Sequence, residues 1–498
     1  MVKATWGVYV DWENDGDVTG TGENVTARVL NEPGVVFERG RDQIRALAPP
    51  MAGRCEFVLN NASKDYSVEY ASGPLYGNLL PGREIAINTT SPVLATQWVG
   101  RVDDLQQEPF LKGGGRVRIP GLGMLARLKG IPVWVDLQEN ITTSAALALL
   151  FAEAGLAGSA YTLLDTGQTT LTAWWCAGDD AFDMLRKLLA AEGPGSAIYE
   201  QADGRIAFHS RHYRLLTARS TTSQVTFGNA STEPKHSLPF SYQPNLKDVV
   251  NSVTVAAAAL SYDRDELRDL ATIPVVPAVT LAPAGVAVIS VVLDAPADLE
   301  STPGFYESPN LTLDGVAVGA YSATYDQATG LLFTLTITSA ASYTFTFDAV
   351  VIRGYPSVST ALLVPQTVDA SASQAKYGTR GLPGGFSPWP YITAVAAQEL
   401  ANSVVVNYRE PRATVSVTIA NANSTRLTQQ LTREISDRVT VVESQTGLNA
   451  AMFVERIRHE VREGGRFHRT TFGCEKVGAY DDYFVFDVDN FDGESFGF

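Results

Sequence analysis

The residues with the most obvious chemical potential lie near the N-terminus. The loop Asp11-Trp12-Glu13-Asn14-Asp15-Gly16-Asp17 puts oxygen ligands at alternate positions and a glycine at the sixth, as a calcium loop does. The pattern then fails, because Gly22 stands where the bidentate glutamate belongs and Glu23 comes one residue late. No helical pattern flanks it, so a polar turn held by Asx hydrogen bonds is expected instead of a metal site. His209 and His212 form H-x-x-H beside a predicted strand, where a period of two turns them to opposite faces, and no H-E-x-x-H occurs. Gly493-Glu494-Ser495-Phe496-Gly497 matches the string of a nucleophile elbow without the strand before it and the helix after it that the elbow needs. Asp103-Asp104, Asp179-Asp180 and Asp481-Asp482 are adjacent carboxylates, which on a strand diverge; a pair assembled from distant strands stays open. Trp174-Trp175 could be a sugar platform, although two core tryptophans are the simpler reading. Gly113-Gly114-Gly115 lacks the remainder of a phosphate loop. No catalytic, cofactor-binding or metal-binding residue is therefore assigned, and no enzyme is expected.

These residues sit in a chain of 498 with 45% apolar and 18% charged residues, enough for packed cores in about three or four domains. The formal net charge of −16 argues against gripping phosphate backbones or an anionic membrane. Cys55, Cys176 and Cys474 have neither zinc nor redox spacing, and their odd number suits a reducing cytosol. No apolar leader follows Met1, so synthesis and folding in a cytoplasm are expected.

The elements that must position these side chains are mostly strands. Alternation at Trp6-Val8-Val10, Val25-Ala27-Val29, Cys55-Phe57-Leu59, Ile85-Ile87 and 97–101 predicts short strands over the first ~110 residues. Thr143 is the expected cap of a helix reaching Gly155, Asp179 or Asp180 that of a second helix ending at Gly193, and Asp203-Gly204 the turn of a hairpin. Residues 270–352 hold seven acidic and no basic residues, with alternation at 331–338 and 343–347 and a loop at Asp326–Gly330, which reads as an inserted β-sandwich. A helix from Thr393 to about Ser403 follows, then strands at 414–419, 438–442, 452–461 and 468–472, with a hairpin turn in Val461–Phe467. The expected fold is mainly β with a small α+β part. Its units are a tube-like β-barrel or sandwich domain at 1–112, a small α+β domain at 113–224, and a second tube-like domain at 225–268 with 357–475. The sandwich is inserted at 269–356, and an acidic aromatic strap closes the chain at 476–498, its last 18 residues holding six acidic and six aromatic residues.

Specific strings go further. Val10-Asp-Trp-Glu-Asn-Asp-Gly-Asp-Val-Thr-Gly-Thr-Gly-Glu-Asn-Val-Thr-Ala-Arg-Val29 resembles the start of minor tail proteins of long-tailed, siphovirus-type bacteriophages. Phe37–Asp42, Gly53–Asn61, Ser72–Arg83, Trp98–Asp103, Arg353–Pro356, Ala375–Arg380, Trp389-Pro390 and Gly447–Glu455 continue the likeness in the same order over about 470 residues. The resemblance implies a baseplate-hub-like tail-tip protein. Such hubs are homotrimers whose two tube-like domains per chain form a pseudo-sixfold ring at the distal end of the virion tail. The implied partners are the distal tail protein, tail tube and tape-measure proteins on one side and fibre or spike proteins on the other, with DNA passing through without specific binding. The family brings no catalytic residues or cofactor. An acidic channel wall would repel passing phosphate. The alternative is a peripheral receptor- or carbohydrate-binding tail protein whose inserted sandwich takes a host-surface glycan.

Overall fold

The computed structural model describes residues 2–41, 50–109, 115–228, 233–244, 246–263, 265, 349–360, 366–382 and 388–477, with shorter backbone stretches inside 268–346 and 483–496. The first strands are β1 (Thr5–Val10), β2 (Val35–Gly40), β3 (Arg54–Asn60), β4 (Glu84–Ser91), β5 (Ala95–Val102), β6 (Gln106–Glu108) and β7 (Arg116–Leu122). Their alternation sorts the faces. Cys55, Phe57 and Leu59 of β3 are buried beside Val117 and Ile119 of β7, whereas Arg54, Glu56 and Arg118 point the other way.

The strand expected at Val25–Val29 does not form; Thr26–Arg28 is a single 3₁₀ turn. The chain here covers the outer edge of β1 instead. Val10 N–H donates to the Glu23 carbonyl, Val25 N–H to the Val8 carbonyl, and Val8 N–H to Thr26 Oγ1. A hydroxyl in place of one ladder carbonyl ends the pairing, and the edge is no longer an open template.

Next come β8 (Pro132–Thr142), α1 (Thr143–Glu153), β9 (Thr162–Leu164), β10 (Thr170–Asp180), α2 (Ala181–Glu192), β11 (Ala197–Glu200) and β12 (Ile206–His209). The cap of α1 is Thr142, whose side chain accepts from Ala145 N–H. Thr143, one residue further on, donates its hydroxyl to the buried Glu192 (2.5 Å). Asp180 caps α2 by accepting from Phe182 and Asp183, and Gly193 ends it. The hairpin β11–β12 carries a longer loop than a two-residue turn, closed where Gln201 N–H meets the Arg205 carbonyl.

The chain continues through α3 (Tyr213–Leu216), α4 (Ala218–Thr221), β13 (Thr226–Phe227), β14 (Ser237–Pro244), β15 (Ser252–Val255) and β16 (Ala259–Tyr262). Residues 268–360 contain β17 (Arg268–Pro274), β18 (Val279–Leu281), β19 (Val286–Val292), β20 (Ala297–Asp298), β21 (Tyr306–Glu307), β22 (Thr312–Leu313), β23 (Val316–Ala317), β24 (Gly330–Thr336), β25 (Tyr343–Thr346) and β26 (Ala349–Thr360). Within it β19 pairs with β24 and the order β18-β25-β22-β23 makes a four-stranded sheet. The loop predicted at Asp326–Gly330 lies outside the described residues but for Gly330.

The last elements are β27 (Gln366–Asp369), α5 (Ser371–Tyr377), α6 (Ala394–Tyr408), β28 (Ala413–Ala420), α7 (Ser424–Thr432), β29 (Arg438–Glu443), β30 (Leu448–Arg462), β31 (Phe467–Lys476), β32 (Tyr483–Phe484) and β33 (Ser495–Phe496). Thr393 caps α6 as its residue type predicts, and the helix outruns the expected end because Val404, Val405 and Tyr408 are also buried. Helix α7 is capped by Asn423 and sends Leu427 and Leu431 into the core of the N-terminal strands.

A 13-stranded sheet joins both ends of the chain in the order β1-β4-β5-β7-β3-β2-β30-β31-β28-β14. The path is open, so no barrel closes among the described residues. The seam is β2 against β30, antiparallel, from Val35↔Val461 to Gly40↔Arg456. Gly34 and Gly40 bracket β2 at positive φ (77° and 105°), and a Cβ on either would come within 2.2 Å of a β30 carbonyl, that of Val461 or Glu455. Only glycine tolerates both the dihedral and the approach. Gly40→Ala is therefore expected to destabilise the chain by about 2 kcal/mol or more in urea titration, whereas Gly447→Ala, also at positive φ but with open space around it, costs about 1 kcal/mol.

Candidate functional site

Because β2 and β30 are more than 400 residues apart, the seam is where two separate stretches of chain become one body. Its buried side is aromatic. Phe37 of β2 stacks on His459 of β30 (ring centroids 4.6 Å), and Trp6 of β1 packs edge-on to His468 of β31 (5.1 Å). His459 Nδ1 lies 2.9 Å from His468 Nε2, and the Thr470 hydroxyl lies 3.1 Å from each. One imidazole donates to the other, which needs at least one neutral ring. Burial pushes His468 down to about 3, and burial together with the charges of His468 and Arg39 pushes His459 well below the usual imidazole range. The pairing follows from the hairpin: Val461 faces His468 across the ladder and His459 faces Thr470.

The solvent side of the seam is ionic. Glu38 of β2, 2% exposed, accepts from Arg54 of β3 and from Arg456 and Arg458 of β30. Arg458 also reaches Glu460 (3.2 Å). Burial by itself would raise the Glu38 carboxyl, but the hydrogen bonds and charges of Arg456 and Arg54 outweigh it and hold it below its ordinary value. One carboxylate thus ties three strands by their side chains.

A second ionic group flanks the seam. The bulge between Val454 and Arg456 turns Glu455 inward, where it meets Arg41 (2.9 Å) and Arg214 (2.7 Å). Glu475 of β31 meets Arg41 and Arg412, and Arg39 meets Glu434. Glu200 of β11 is fully buried and accepts from the backbone N–H groups of Gly53 (2.8 Å) and Leu125 (2.6 Å), so it latches the α+β part to the β3 and β7 ends of the sheet. Burial pushes this carboxyl up to about 7.

The residues singled out in the sequence fall elsewhere. Asp11 accepts from Asn14 and Gly16 N–H, and Glu23 from Gly20 N–H, so the loop is the Asx turn expected. It also brings Asp11, Asp15 and Glu23 together, with ligand oxygens within 4.8 Å of one another. His209 ends β12 with its two ring nitrogens on the hydroxyls of Tyr199 and Ser436 (3.2 Å each). Trp174 and Trp175 are both buried, the latter against Trp389 and Tyr391, which makes them core residues and no sugar platform. Asp179 accepts from the backbone N–H of Ala177 within β10, and Asp180 from those of Phe182 and Asp183 at the start of α2. Ser495 pairs within the short β32–β33 ladder, and the glycines of its motif lie outside the described residues. The three cysteines are buried and unpaired. No helix among the described residues is long and apolar enough to cross a membrane.

No protein-family model matches the sequence, and no curated protein matches it. Among solved structures the chain is similar to a tail protein from Neisseria meningitidis, at 10% identity over 96% of this chain and 97% of that one, with a TM-score of 0.49. It is similar to a prophage 43 kDa tail protein from Shewanella oneidensis at 9% identity, over 95% and 96% of the two chains, with a TM-score of 0.48. A prophage tail protein, gp18, from Listeria monocytogenes has 8% identity, 96% coverage of each chain and a TM-score of 0.44.

Two predictions follow from the buried titratable groups. The folded value of Glu200 is above its unfolded 4.5, so its contribution is complete below pH 4.5 and is lost as pH rises toward 7. Glu200→Gln should flatten that part of the stability–pH curve, read as urea midpoints between pH 4.5 and 7.5. His459 and His468 act in the opposite sense. Their folded values lie below the unfolded 6.5, so their contribution is complete above it and lost as pH falls toward 3. His468→Gln should weaken acid unfolding in that range. Separately, Glu38→Ala should cost about 2 kcal/mol in urea titration, less than a fully buried pair because its arginines can turn to water.

Proposed function

We propose that this chain is a non-enzymatic structural protein of a phage tail, a hub at the distal end in which each copy contributes two β units. The observation that supports this reading is the β2–β30 seam, which sets both units of one chain in a single sheet at fixed register. The two units are residues 1–112, to whose strands β7 adds, and 225–268 with 357–475. The α+β unit at 113–224 and the inserted sandwich at 269–356 are carried outside them.

Three such copies in a closed ring present six related β units to a sixfold tail tube or distal tail ring, and threefold symmetry to fibre or spike proteins. A chain that carries its two units as one rigid body fixes half of the ring contacts in advance. The contact between copies cannot be strand addition at both ends of the sheet, because the outer edge of β1 is already taken by residues 23–26. On that side the neighbouring copy meets side chains. Tape-measure protein and then DNA pass through the ring.

Quantitative mass spectrometry of purified particles tests this. Three copies per particle, counted against the tail tube protein, are expected. Six copies would make the chain a ring protein instead, and its absence from particles would remove the virion reading.

A further inference from the structure

A cleft of about 250 Å³ lies between two stretches of chain that are far apart in sequence. One wall comes from the end of β11, α3 and α4, with Tyr199, Gln201, Tyr213 and Arg219. The other is the turn from α7 to β29, with Glu434 and Asp437. At about 30 Å³ per water in the liquid, the space takes about eight waters, or one pyranose ring. The turn is held from several sides. Ser436 sits in the left-handed region (φ 69°). Its hydroxyl oxygen accepts from Arg214 Nε (3.2 Å) and Nη2 (3.1 Å) and lies 3.2 Å from His209 Nδ1. Its carbonyl accepts from the Ser220 hydroxyl (2.8 Å). A strained residue tied in this way gives the cleft a preformed wall.

The charges in the walls are matched within the protein. Asp437 accepts from Arg219 Nε and Nη2 (2.6 Å each) and lies 3.4 Å from Arg433, and Glu434 Oε1 accepts from Arg39. A free cation would have to displace an arginine from these carboxylates, and an anion would have to face them. The hydrogen-bonding capacity left over is on planar groups. Among the described residues Arg219 Nη1 donates to nothing and Glu434 Oε2 accepts from nothing. Both side chains reach water, at 48% and 27% exposure. The Gln201 amide stands within reach of the Tyr199 hydroxyl. Tyr213 lies flat on His209 (ring centroids 3.4 Å), and among the described residues no ring covers its other face.

We propose that this cleft binds a neutral pyranose sugar. Neighbouring hydroxyls of the sugar are shared among the Arg219 guanidinium, the Glu434 carboxylate and the Gln201 amide, and an apolar ring face lies on Tyr213. A guanidinium, a carboxylate and an amide each present paired donors or acceptors in one plane, which suits adjacent hydroxyls, and a phenol ring adds an apolar body. The site uses no residue of the inserted sandwich and does not depend on the ring assembly proposed above.

Saturation-transfer difference NMR on the full-length protein tests it, with the methyl glycosides of glucose, galactose, mannose and N-acetylglucosamine as probes. Transfer to at least one of them is expected, with a Kd on the order of millimolar. Gln201→Ala should weaken binding about tenfold, and so should Arg219→Lys, which keeps a charge beside Asp437. Gln445→Ala, on an exposed turn elsewhere, should leave it unchanged, and unchanged urea midpoints show that each variant is folded. Free sugars run alongside separate the two sources of the ring: equal binding of the methyl glycosides means the end of a glycan chain, and binding of the free sugars alone means a monosaccharide. No transfer to any sugar would overturn the proposal, as would transfer that survives both Gln201→Ala and Arg219→Lys. Line broadening of inorganic phosphate, or transfer to N-acetylarginine amide, that both variants remove while the sugars stay silent would overturn it in favour of a charged ligand.

Discussion

Six residues of β2 laid against β30 are the constraint on which the rest of this structure depends. Without that ladder the N-terminal strands end at β2 and the C-terminal strands begin at β30, each with an exposed sheet edge. With it, one sheet runs from β1 to β14. Closing a loop of over 400 residues costs only slowly growing entropy, but a ladder of six residues is a short contact to hold two units in register. The sequence supplies the specificity at both faces. Glycines at either end of β2 let its backbone approach β30, Phe37 and His459 stack beneath, and Glu38 binds three strands above.

The chemistry of the seam favours uniqueness over raw stability. A buried carboxylate surrounded by arginines gains little over an apolar pair of the same volume, yet a one-residue slip would bury Arg458 and expose Phe37. The same holds for Glu455, which only the β-bulge turns inward toward Arg41 and Arg214. Helix α7 adds an apolar cross-tie, since its Leu427 and Leu431 complete the N-terminal core from the far end of the chain. The pH dependences of Glu200 and of the His459–His468 pair have opposite signs and oppose each other between pH 4.5 and 6.5, where their ranges overlap.

Much of this architecture is legible in the amino-acid order because each strand buries one face. Cys55-Phe57-Leu59, Ile85-Ile87 and 438–442 alternate cleanly, and Asp180 and Thr393 cap the helices they precede. The misses have physical causes. Val25–Val29 alternates as a strand does, but the Thr26 hydroxyl takes the place of a ladder partner. Thr143 and Thr142 are equally good caps by type, and only the buried Glu192 decides between them. Strand order is not a local property, so nothing near Glu38 announces that β30 lies beside it. The histidine pair was within reach, because the Val461–Phe467 turn fixes which residues face each other. The ionic side of the seam stayed hidden because Arg54, Arg456 and Arg458 come from strands some 400 residues apart.

Amide hydrogen exchange read by mass spectrometry, on peptides covering residues 35–40 and 456–461, tests the seam most directly. If the two units form one body, these amides exchange only with global unfolding, as slowly as those of β3 and β31. If they exchange orders of magnitude faster than both flanking strands while those strands stay protected, the two units hinge independently, and the single-sheet account is wrong.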